Sequence, residues 1–347
     1  MQEKVIVRTP IEDGFHMPAE WEPHSGCLIS WPCKEDTWCG YYENAKRAYL
    51  EVVRAINQFE PVIVLADPAI AKEASNVVGK DVQVIEVPLD DSWIRDNGPI
   101  YLVKDDGIAI THFKFNGWGG RFLPYEKDAK APELLASMFR IRRYIAPLVL
   151  EGGGICTDGE GTLLTTESCT LNPNRNPGMS KEEIEDILKS YLGVRKILWL
   201  RQGIHRSMID GHIDGVAAFA KPGVVLHASC DDEKDPNYEI MRRNKELLET
   251  MTDARGHSIE IIDMPMPRLR EIEGNRIAPC YTNFYIANSG IVAPIFGDKN
   301  DGLALQVLRE TFPEREIVGV RCEYIGIGGG EVHCITQQIP RGSPVFP

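Results

Sequence analysis

Short apolar runs alternate with polar, glycine-containing loops along most of the chain. Apolar runs of roughly four to eight residues bounded by turn residues are typical of buried β-strands. Five loops are each flanked by two such runs, and the loops are centred on residues 96, 151, 212, 283 and 334. The pattern predicts strand pairs at 82–89 and 100–103, 145–150 and 161–165, 196–200 and 216–220, 259–264 and 284–287, and 317–320 and 335–338.

Segments with helical spacing of apolar residues lie between the strand pairs. The clearest start is Ser180, which is followed three residues later by Glu183 and by Ile184, Ile187 and Leu188 at helical spacing. Ser and Glu at this spacing form a capping box. The pattern predicts helices at 43–58, after 180, at 238–252, at 303–311 and, with a weaker signal, at 131–139.

The central residues of the five loops are 55, 61, 71 and 51 positions apart along the chain. A recurrence of this kind indicates about five supersecondary units within one domain spanning residues 1–347. A radial arrangement of the units would bring all five loops to one centre. An open α/β sheet would instead gather them at one edge. The spacing favours the radial arrangement without deciding between the two.

Composition narrows the class of protein. The chain has 347 residues, is 43% hydrophobic and carries a net charge of −13. This charge argues against nucleic acid as a partner and favours a cationic small substrate, although solubility alone also accounts for it. Nine cysteines without a Cys-x-x-Cys pair, and no signal peptide or long apolar run, predict a reduced, cytoplasmic protein without a membrane partner. A homodimer or higher homo-oligomer remains open.

Five chemically active residues stand at predicted strand ends: Asp96, Glu151, His212, Asp214 and Cys334. If they meet, three carboxylates need a cation to balance them. A guanidinium suits this role because it keeps its charge and offers five N–H donors in a planar fork. Its central carbon stays open to a thiolate, the form of cysteine that attacks. The set therefore predicts covalent chemistry on a guanidinium.

Structural roles are the alternative for each residue taken alone. Asp96 could pair with Arg95 or cap a turn, His212 could be a core histidine bonded to Asp214, and Cys334 could be an inert buried thiol. A zinc site is a further alternative, with His212, Asp214, His333 and Cys334 as its ligands. No His-Glu-x-x-His or Cys-x-x-Cys motif supports that site.

At these residues the chain resembles the agmatine deiminase family, which lies in the guanidino-group-modifying superfamily with the arginine deiminases. The similarity runs in order through nearly the whole chain. The matching segments are 17–24 (MPAEWEPH), 91–99 (DSWIRDNGP), 115–120 (FNGWGG), 151–153 (EGG), 171–177 (LNPNRNP), 210–214 (DGHID), 281–284 (YTNF) and the glycine-rich segment that ends at Cys334.

The resemblance implies a five-bladed α/β propeller, the pentein fold, built of ββαβ units, with neither metal nor organic cofactor. It implies that Asp96 and Asp214 bind the guanidinium and that Glu151 is a further guanidinium contact that helps to orient it. His212 is implied as the general acid and base, Cys334 as the nucleophile, and Trp93 and Trp118 as pocket walls. The implied reaction hydrolyses agmatine to N-carbamoylputrescine and ammonia on the way to putrescine.

The chain departs from the family pattern at two places. Ser207-Met208-Ile209, preceded by Arg206, replaces an acidic stretch before Asp210, and Glu331 replaces an asparagine. Arg206 could be a solvated surface charge, or it could bind the carboxylate of another guanidino substrate. Arginine, peptidyl-arginine and a non-catalytic guanidino-compound binder therefore stay as alternatives to agmatine turnover.

Overall fold

The computed structural model describes residues 8–205, 207–268, 270–272 and 274–345. Within these residues the strands are β1 His24–Ser30, β2 Val62–Ala66, β3 Gln83–Glu86, β4 Ile100–Lys104, β5 Gly107–Lys114, β6 Arg142–Val149, β7 Ile155–Thr157, β8 Thr162–Thr166, β9 Lys196–Leu200, β10 Ala217–Lys221, β11 Val224–Ser229, β12 Glu260–Pro265, β13 Arg270–Ile272, β14 Asn275–Ile277, β15 Tyr285–Ile286, β16 Gly290–Ile295, β17 Glu316–Arg321, β18 Thr336–Pro340 and β19 Ser343–Pro344.

The same part of the chain forms α-helices and short 3-10 helices. The α-helices are α1 Tyr42–Ile56, α2 Ala71–Val78, α3 Ile94–Asn97, α4 Gly117–Gly120, α5 Ala131–Met138, α6 Glu167–Thr170, α7 Lys181–Leu192, α8 Asn237–Glu249, α9 Asp301–Thr311 and α10 Glu323–Ile327. The 3-10 helices are Ile11–Asp13, Glu35–Trp38, Asp128–Lys130, Gly152–Gly154 and Ile213–Gly215.

Five sheets repeat one strand pattern. In each, an antiparallel pair is followed, after a helix, by a strand parallel to the second member. The first sheet is β18–β1–β2–β3, the second contains β4–β5–β6, the third is β7–β8–β9, the fourth β10–β11–β12 and the fifth β15–β16–β17. The short β19 adds to β5, and β13 pairs with β14 as a separate hairpin. The two distant ends of the chain meet in the first sheet, where β18 pairs with β1.

The two strands that flank each predicted loop belong to different sheets. Strand β3 lies in the first sheet and β4 in the second, and β9 and β10 are divided in the same way between the third and fourth. The predicted loops are therefore the connections that lead from one sheet into the next. The described residues form five separate sheets of three or more strands, besides the β13–β14 hairpin, so a single open sheet is excluded for this part of the chain.

The predicted helices are present as α1, α5, α7, α8 and α9, with ends displaced by at most three residues. The capping box is confirmed: the Ser180 hydroxyl accepts from the Glu183 N–H at 3.2 Å, and the Glu183 carboxylate accepts from the Ser180 N–H at 2.7 Å. One predicted strand is not the strand that directly follows its loop. The strand next to the loop at 151 is β7, and the predicted 161–165 corresponds to β8. Strand β7 has three residues, too few to show a period.

Helices pack between neighbouring sheets. Helix α1 contacts β16 and β17 of the fifth sheet, α9 contacts β12 of the fourth, α8 contacts β9 of the third and α7 contacts β6 of the second. Strand β18 of the first sheet contacts β4 of the second. Each sheet is thus packed against the next, and the contacts return to the start. No helix in the described ranges is long and apolar enough to cross a bilayer.

The core lies at these contacts between sheets. Helix α1 buries Tyr49, Val52, Val53 and Ile56 in a cluster that also contains Val292 of the fifth sheet. Full burial of such side chains is worth about 1.5–3 kcal/mol each. Because β2 is buried on both faces, its sequence is continuously apolar rather than alternating.

Candidate active site

The predicted site residues lie in short turns just before the first strand of a sheet. Asp96 is in α3 before β4, and Glu151 precedes the 3-10 helix that leads into β7. His212 and Asp214 stand at the 3-10 turn before β10, and Cys334 is in the turn before β18. All five are at most 6% exposed. Since each sheet packs against the next, the turns meet at one place.

The meeting point is directly above Gly153. A β-carbon placed on this glycine would lie 2.7 Å from Asp96 Oδ1, 2.8 Å from Asp214 Oδ2 and 2.8 Å from His212 Nδ1. Three polar atoms from two carboxylates and an imidazole therefore converge on a space that only a glycine leaves open. A planar cation with several N–H donors fits the two carboxylate oxygens of this set.

Asp96 is held on both of its oxygens. Oδ1 accepts from the Gly153 N–H at 2.9 Å, and Oδ2 accepts from Trp118 Nε1 at 2.8 Å. Trp118 reaches this position from a left-handed backbone conformation, with φ at 53°. Burial, together with the charges of Asp214 and Glu151, raises the pKa of Asp96. A bound cation would offset that repulsion.

His212 lies between two carboxylates. Its Nδ1 is 3.6 Å from Asp96 Oδ1, and its Nε2 is 3.5 Å from Glu151 Oε2. Burial opposes the charged imidazolium, but the charge of Asp96 and the contacts with Cys169 and Glu151 outweigh it and raise the pKa of His212 well above its ordinary value. His212 therefore holds a proton at neutral pH before substrate arrives.

Glu151 is anchored by Arg175, a buried residue that donates from Nε to Glu151 Oε1 at 2.7 Å. Burial alone would raise the pKa of Glu151. The His212 contact and the Arg175 charge reverse that effect and lower the pKa below its usual value. Because Arg175 occupies Oε1, the other oxygen of Glu151 is left for His212.

Asp214 is supported from behind by His333. Nδ1 of His333 lies 3.1 Å from Asp214 Oδ2, and Nε2 lies 2.9 Å from Glu20 Oε1. Burial favours neutral Asp214, yet its bond and charge interaction with His333 outweigh burial and lower its pKa. Burial by itself lowers the pKa of His333, but the charge of Glu20 and the hydrogen bonds with Asp214 and Glu20 outweigh it and raise that pKa.

Cys334 carries the candidate nucleophile. Its Sγ lies 3.5 Å from Asp214 Oδ2 and receives a hydrogen bond from Asn283 Nδ2 at 3.2 Å. Asn283 Oδ1 also accepts from the Cys334 N–H at 3.3 Å. Burial, followed by the charges of Asp214 and Asp96, raises the pKa of the Cys334 thiol well above its ordinary value. The thiol is therefore protonated without a ligand, and a cation between the carboxylates would favour the thiolate.

Two cavities of about 340 and 320 Å³ flank Cys334. Trp93 and Trp118, which the resemblance implied as pocket walls, line the smaller one together with Asp96. Glu331 and Asp214 line the larger one. Both tryptophans are about 5% exposed, so their faces supply apolar walls beside the carboxylates.

Glu331, one of the two departures from the family pattern, is buried next to this centre. Its Oε2 accepts a weak hydrogen bond from Cys280 Sγ at 3.4 Å. Burial and the neighbouring Asp214 raise the pKa of Glu331 to about 8. The other departure is Ser207-Met208-Ile209 with Arg206 before it. Ser207, Met208 and Ile209 line the larger cavity, whereas Arg206 lies outside the described residues, so its predicted role stays a prediction.

The structure brings together every residue of the predicted set, and it adds partners that the sequence reasoning missed. Arg175, Asn283, Glu20 and His333 hold the predicted residues in place. The first three stand inside matching family segments, which was the available signal, but a positioning role needs contacts that only the fold supplies. His333 was considered only as a zinc ligand.

The zinc set that the sequence left as an alternative is not assembled in the described part of the chain. The donor atoms of His212, Asp214, His333 and Cys334 do not all come within 4.8 Å of one another. A different group does so: Glu151, Cys169 and His212.

Comparisons with known proteins agree with this geometry. The model of the Porphyromonas-type peptidyl-arginine deiminase family matches residues 16–340. The chain therefore belongs to this family, and it is a hydrolytic deiminase of the guanidino-modifying class with a mixed α/β fold.

Named relatives point to one branch of that class. A Listeria monocytogenes protein named "Putative agmatine deiminase 1" is 43% identical over 356 residues, covering 95% of this chain and 98% of the relative. The solved agmatine deiminase of Enterococcus faecalis has a TM-score of 0.93 and 34% identity, covering 97% of this chain and 99% of that one. A solved agmatine deiminase of C. jejuni with substrate bound has a TM-score of 0.87 and 29% identity, covering 95% and 97%.

Proposed function

We propose that this protein is an agmatine deiminase, which hydrolyses agmatine to N-carbamoylputrescine and ammonia in putrescine synthesis in the cytoplasm. The observation that carries the proposal is the convergence of Asp96, Asp214 and His212 above Gly153, with Cys334 Sγ 3.5 Å from Asp214. The names of the relatives support the choice of agmatine.

The proposed architecture is a five-bladed α/β propeller, the pentein fold. Its support is the five ββαβ sheets, the packing of each against the next, and the pairing of β18 with β1 that joins the two ends of the chain. In this arrangement the turns before β4, β7, β10 and β18 face the centre, which accounts for their meeting.

The first half of the proposed reaction forms a covalent intermediate. Asp96 and Asp214 bind the guanidinium, whose charge offsets their repulsion and favours the Cys334 thiolate. As the substrate binds, the Cys334 thiol loses its proton to solvent, and the thiolate adds to the guanidinium carbon. Protonated His212 then gives its proton to the departing nitrogen, the carbon–nitrogen bond breaks and ammonia leaves. An S-alkylthiouronium remains on Cys334.

The second half restores the enzyme. His212, now neutral, takes a proton from water as the water oxygen adds to the same carbon. The carbon–sulfur bond breaks as the hydroxyl proton of the adduct passes to sulfur, which restores the Cys334 thiol, and the product carries a ureido group. Glu151 stabilises and orients the imidazolium in both halves through its contact at 3.5 Å. Glu151 is therefore a positioning residue for His212 in this mechanism.

The charges around Cys334 favour a substrate with a second positive charge. Asp214 lines one flanking cavity, and Asp36, Asp91 and Asp96 line the other. Glu331 also lines the first cavity, but it keeps its proton to about pH 8 and adds no charge at neutral pH. Lys34 and the protonated His212 are positively charged side chains on the described walls. An ammonium tail gains from these walls, whereas the carboxylate of arginine is repelled by them.

A substrate panel tests the proposal. Agmatine, arginine, a peptidyl-arginine and guanidinobutyrate are assayed for ammonia and ureido product. We expect agmatine to give the highest kcat/KM, and Cys334→Ser to abolish turnover while still binding agmatine. Equal or better turnover of arginine would overturn the agmatine assignment, and ammonia release by Cys334→Ser at near the unmodified rate would overturn the nucleophile.

Peptidyl-arginine is the second candidate substrate, since the matching family model carries that description. It makes a separate prediction, because a blocked arginine in a peptide has no tail carboxylate to be repelled. Turnover of the peptide with no turnover of agmatine would select it.

A further inference from the structure

Three different metal-binding side chains meet on the side of His212 that faces away from Gly153. They are Glu151, Cys169 of helix α6, and His212 itself, and their donor atoms all lie within 4.8 Å of one another. Cys169 Sγ is 3.7 Å from Glu151 Oε2, and His212 Nε2 is 3.5 Å from the same oxygen. The proposed reaction uses Glu151 and His212, but it gives Cys169 no task.

The spacing of these donors matches a tetrahedral metal. Zinc binds sulfur at about 2.3 Å, imidazole nitrogen at about 2.05 Å and carboxylate oxygen at about 2.1 Å. At tetrahedral angles, these bond lengths place the oxygen about 3.6 Å from the sulfur and about 3.4 Å from the nitrogen. The observed distances of 3.7 and 3.5 Å are each within about 0.1 Å of these edges. Two of the three donor–donor distances therefore already have tetrahedral length, and the third, between Cys169 Sγ and the His212 ring nitrogen, is at most 4.8 Å.

We propose that Glu151, Cys169 and His212 bind one zinc ion and that this ion switches the enzyme off. Thiolate, imidazole and carboxylate together are a donor set typical of zinc. Arg175 holds Glu151 Oε1 and leaves Oε2 free for the metal. The same Arg175 charge opposes the cation, so binding is weaker than in a structural zinc site.

The metal inhibits because it binds one particular ring nitrogen of His212. His212 Nε2 faces the trio, while Nδ1 faces Asp96 and the substrate space above Gly153. With zinc on Nε2, the neutral ring carries its one proton on Nδ1. It can then accept no further proton, so it cannot activate water. Agmatine is not displaced by this metal, because the two ligands occupy opposite sides of the ring.

Cobalt absorption tests binding without any substrate. Co²⁺ is added to Cys334→Ala, which lacks the candidate nucleophile, and the spectrum is examined for tetrahedral d–d bands and a thiolate-to-cobalt charge-transfer band. We expect one equivalent to bind, and both features to vanish in Cys334→Ala/Cys169→Ala. They should persist in Cys334→Ala/Cys156→Ala, where Cys156 is an equally buried thiol outside the trio.

Either of two spectroscopic results overturns the proposal: no tetrahedral cobalt in Cys334→Ala, or bands that survive the loss of Cys169. Circular dichroism establishes that each variant is folded. If the variant with Cys169→Ala does not fold, Cys334→Ala/Glu151→Gln is used in its place. Tetrahedral cobalt binding with unchanged affinity in that variant would also overturn the proposal.

Kinetics test the switch itself, and only this part rests on the proposed deiminase activity. Ammonia release is measured in a zinc buffer and expressed as a fraction of each variant's own metal-free rate. We expect zinc to inhibit slowly and a chelator to reverse the inhibition, with kcat lowered more than KM is raised. Zinc should inhibit Cys169→Ala at least about tenfold more weakly than Cys156→Ala. Equal inhibition of the two variants contradicts the switch. Absence of turnover without metal would count against the proposed function, while the cobalt result would stand.

Discussion

Replacement of Gly153 by alanine is the sharpest test of the assembled site. Alanine adds one methyl group, which would point into the space where Asp96, Asp214 and His212 converge. The Gly153 backbone lies outside the left-handed region, so alanine fits the local conformation without strain. The substitution therefore perturbs the centre while sparing the backbone.

The magnitude follows from the contacts. The methyl carbon would lie 2.7–2.8 Å from three polar atoms, whereas ordinary contacts begin at about 3.5 Å. Each neighbour must retreat by roughly 0.7 Å, and misplacement of catalytic groups by about 1 Å costs up to about 100-fold in rate. Because three groups are displaced together, we expect kcat/KM to fall about 100-fold, which corresponds to about 2.7 kcal/mol.

The neighbouring glycines supply matched controls. A β-carbon on Gly154 would make ordinary contacts at 4.0 Å with Cys169 Sγ and His212 Cδ2, so Gly154→Ala should keep kcat/KM within about threefold. A β-carbon on Gly152 would lie 2.1 Å from the Arg95 carbonyl oxygen, so Gly152→Ala should lower the melting temperature instead.

The assay pairs agmatine turnover with thermal unfolding for all three variants. Gly153→Ala should melt within a few degrees of the unmodified protein, because alanine also restricts the unfolded chain by about 0.4–1 kcal/mol. Near-normal kcat/KM for Gly153→Ala, or an equal loss in Gly154→Ala, would refute the convergence of the three groups above Gly153.

Three further predictions follow from the pairing and burial of the site. Asn283→Asp places a carboxylate beside Cys334 Sγ and should raise the thiol pKa further, so the rate of iodoacetamide alkylation should fall at neutral pH. Arg175→Met leaves Glu151 buried without its cation and should cost about 3–5 kcal/mol in urea unfolding. Glu331 keeps its proton to about pH 8 in the folded chain but only to about pH 4.3 in the unfolded chain. The folded state therefore becomes less stable as pH rises from about 4.3 to about 8. In Glu331→Gln the melting temperature should fall less over this pH range.

Controls separate these effects from general damage. Arg242→Met removes an exposed arginine and should change the unfolding free energy by no more than about 0.5 kcal/mol. If Arg175→Met lowered the unfolding free energy by no more than that amount, the buried ion pair of Arg175 with Glu151 would be contradicted. Unchanged alkylation of Asn283→Asp, or a Glu331→Gln melting profile parallel to that of the unmodified protein, would contradict the other two predictions.

Patterns local to the sequence predicted the elements well where a short-range rule applies. The Ser180–Glu183 capping box sets the start of α7, and helical spacing located α1, α8 and α9 to within three residues. Strand β7 was missed because three residues show no period. Which strands share a sheet could not be predicted either, since pairings such as β18 with β1 join positions more than 300 residues apart.

The sequence by itself determined the chemical set. Asp96, Glu151, His212, Asp214 and Cys334 were identifiable because strand-end loops with glycine and motifs of known relatives mark residues one at a time. Tertiary structure decided the charges and the geometry. The raised pKa of Cys334, the support of Asp214 by His333, and the place of Cys169 behind His212 depend on burial and on distances between separate turns. Electrostatic energy depends on separation in space and on the exclusion of water, and neither quantity is written in the order of residues along the chain.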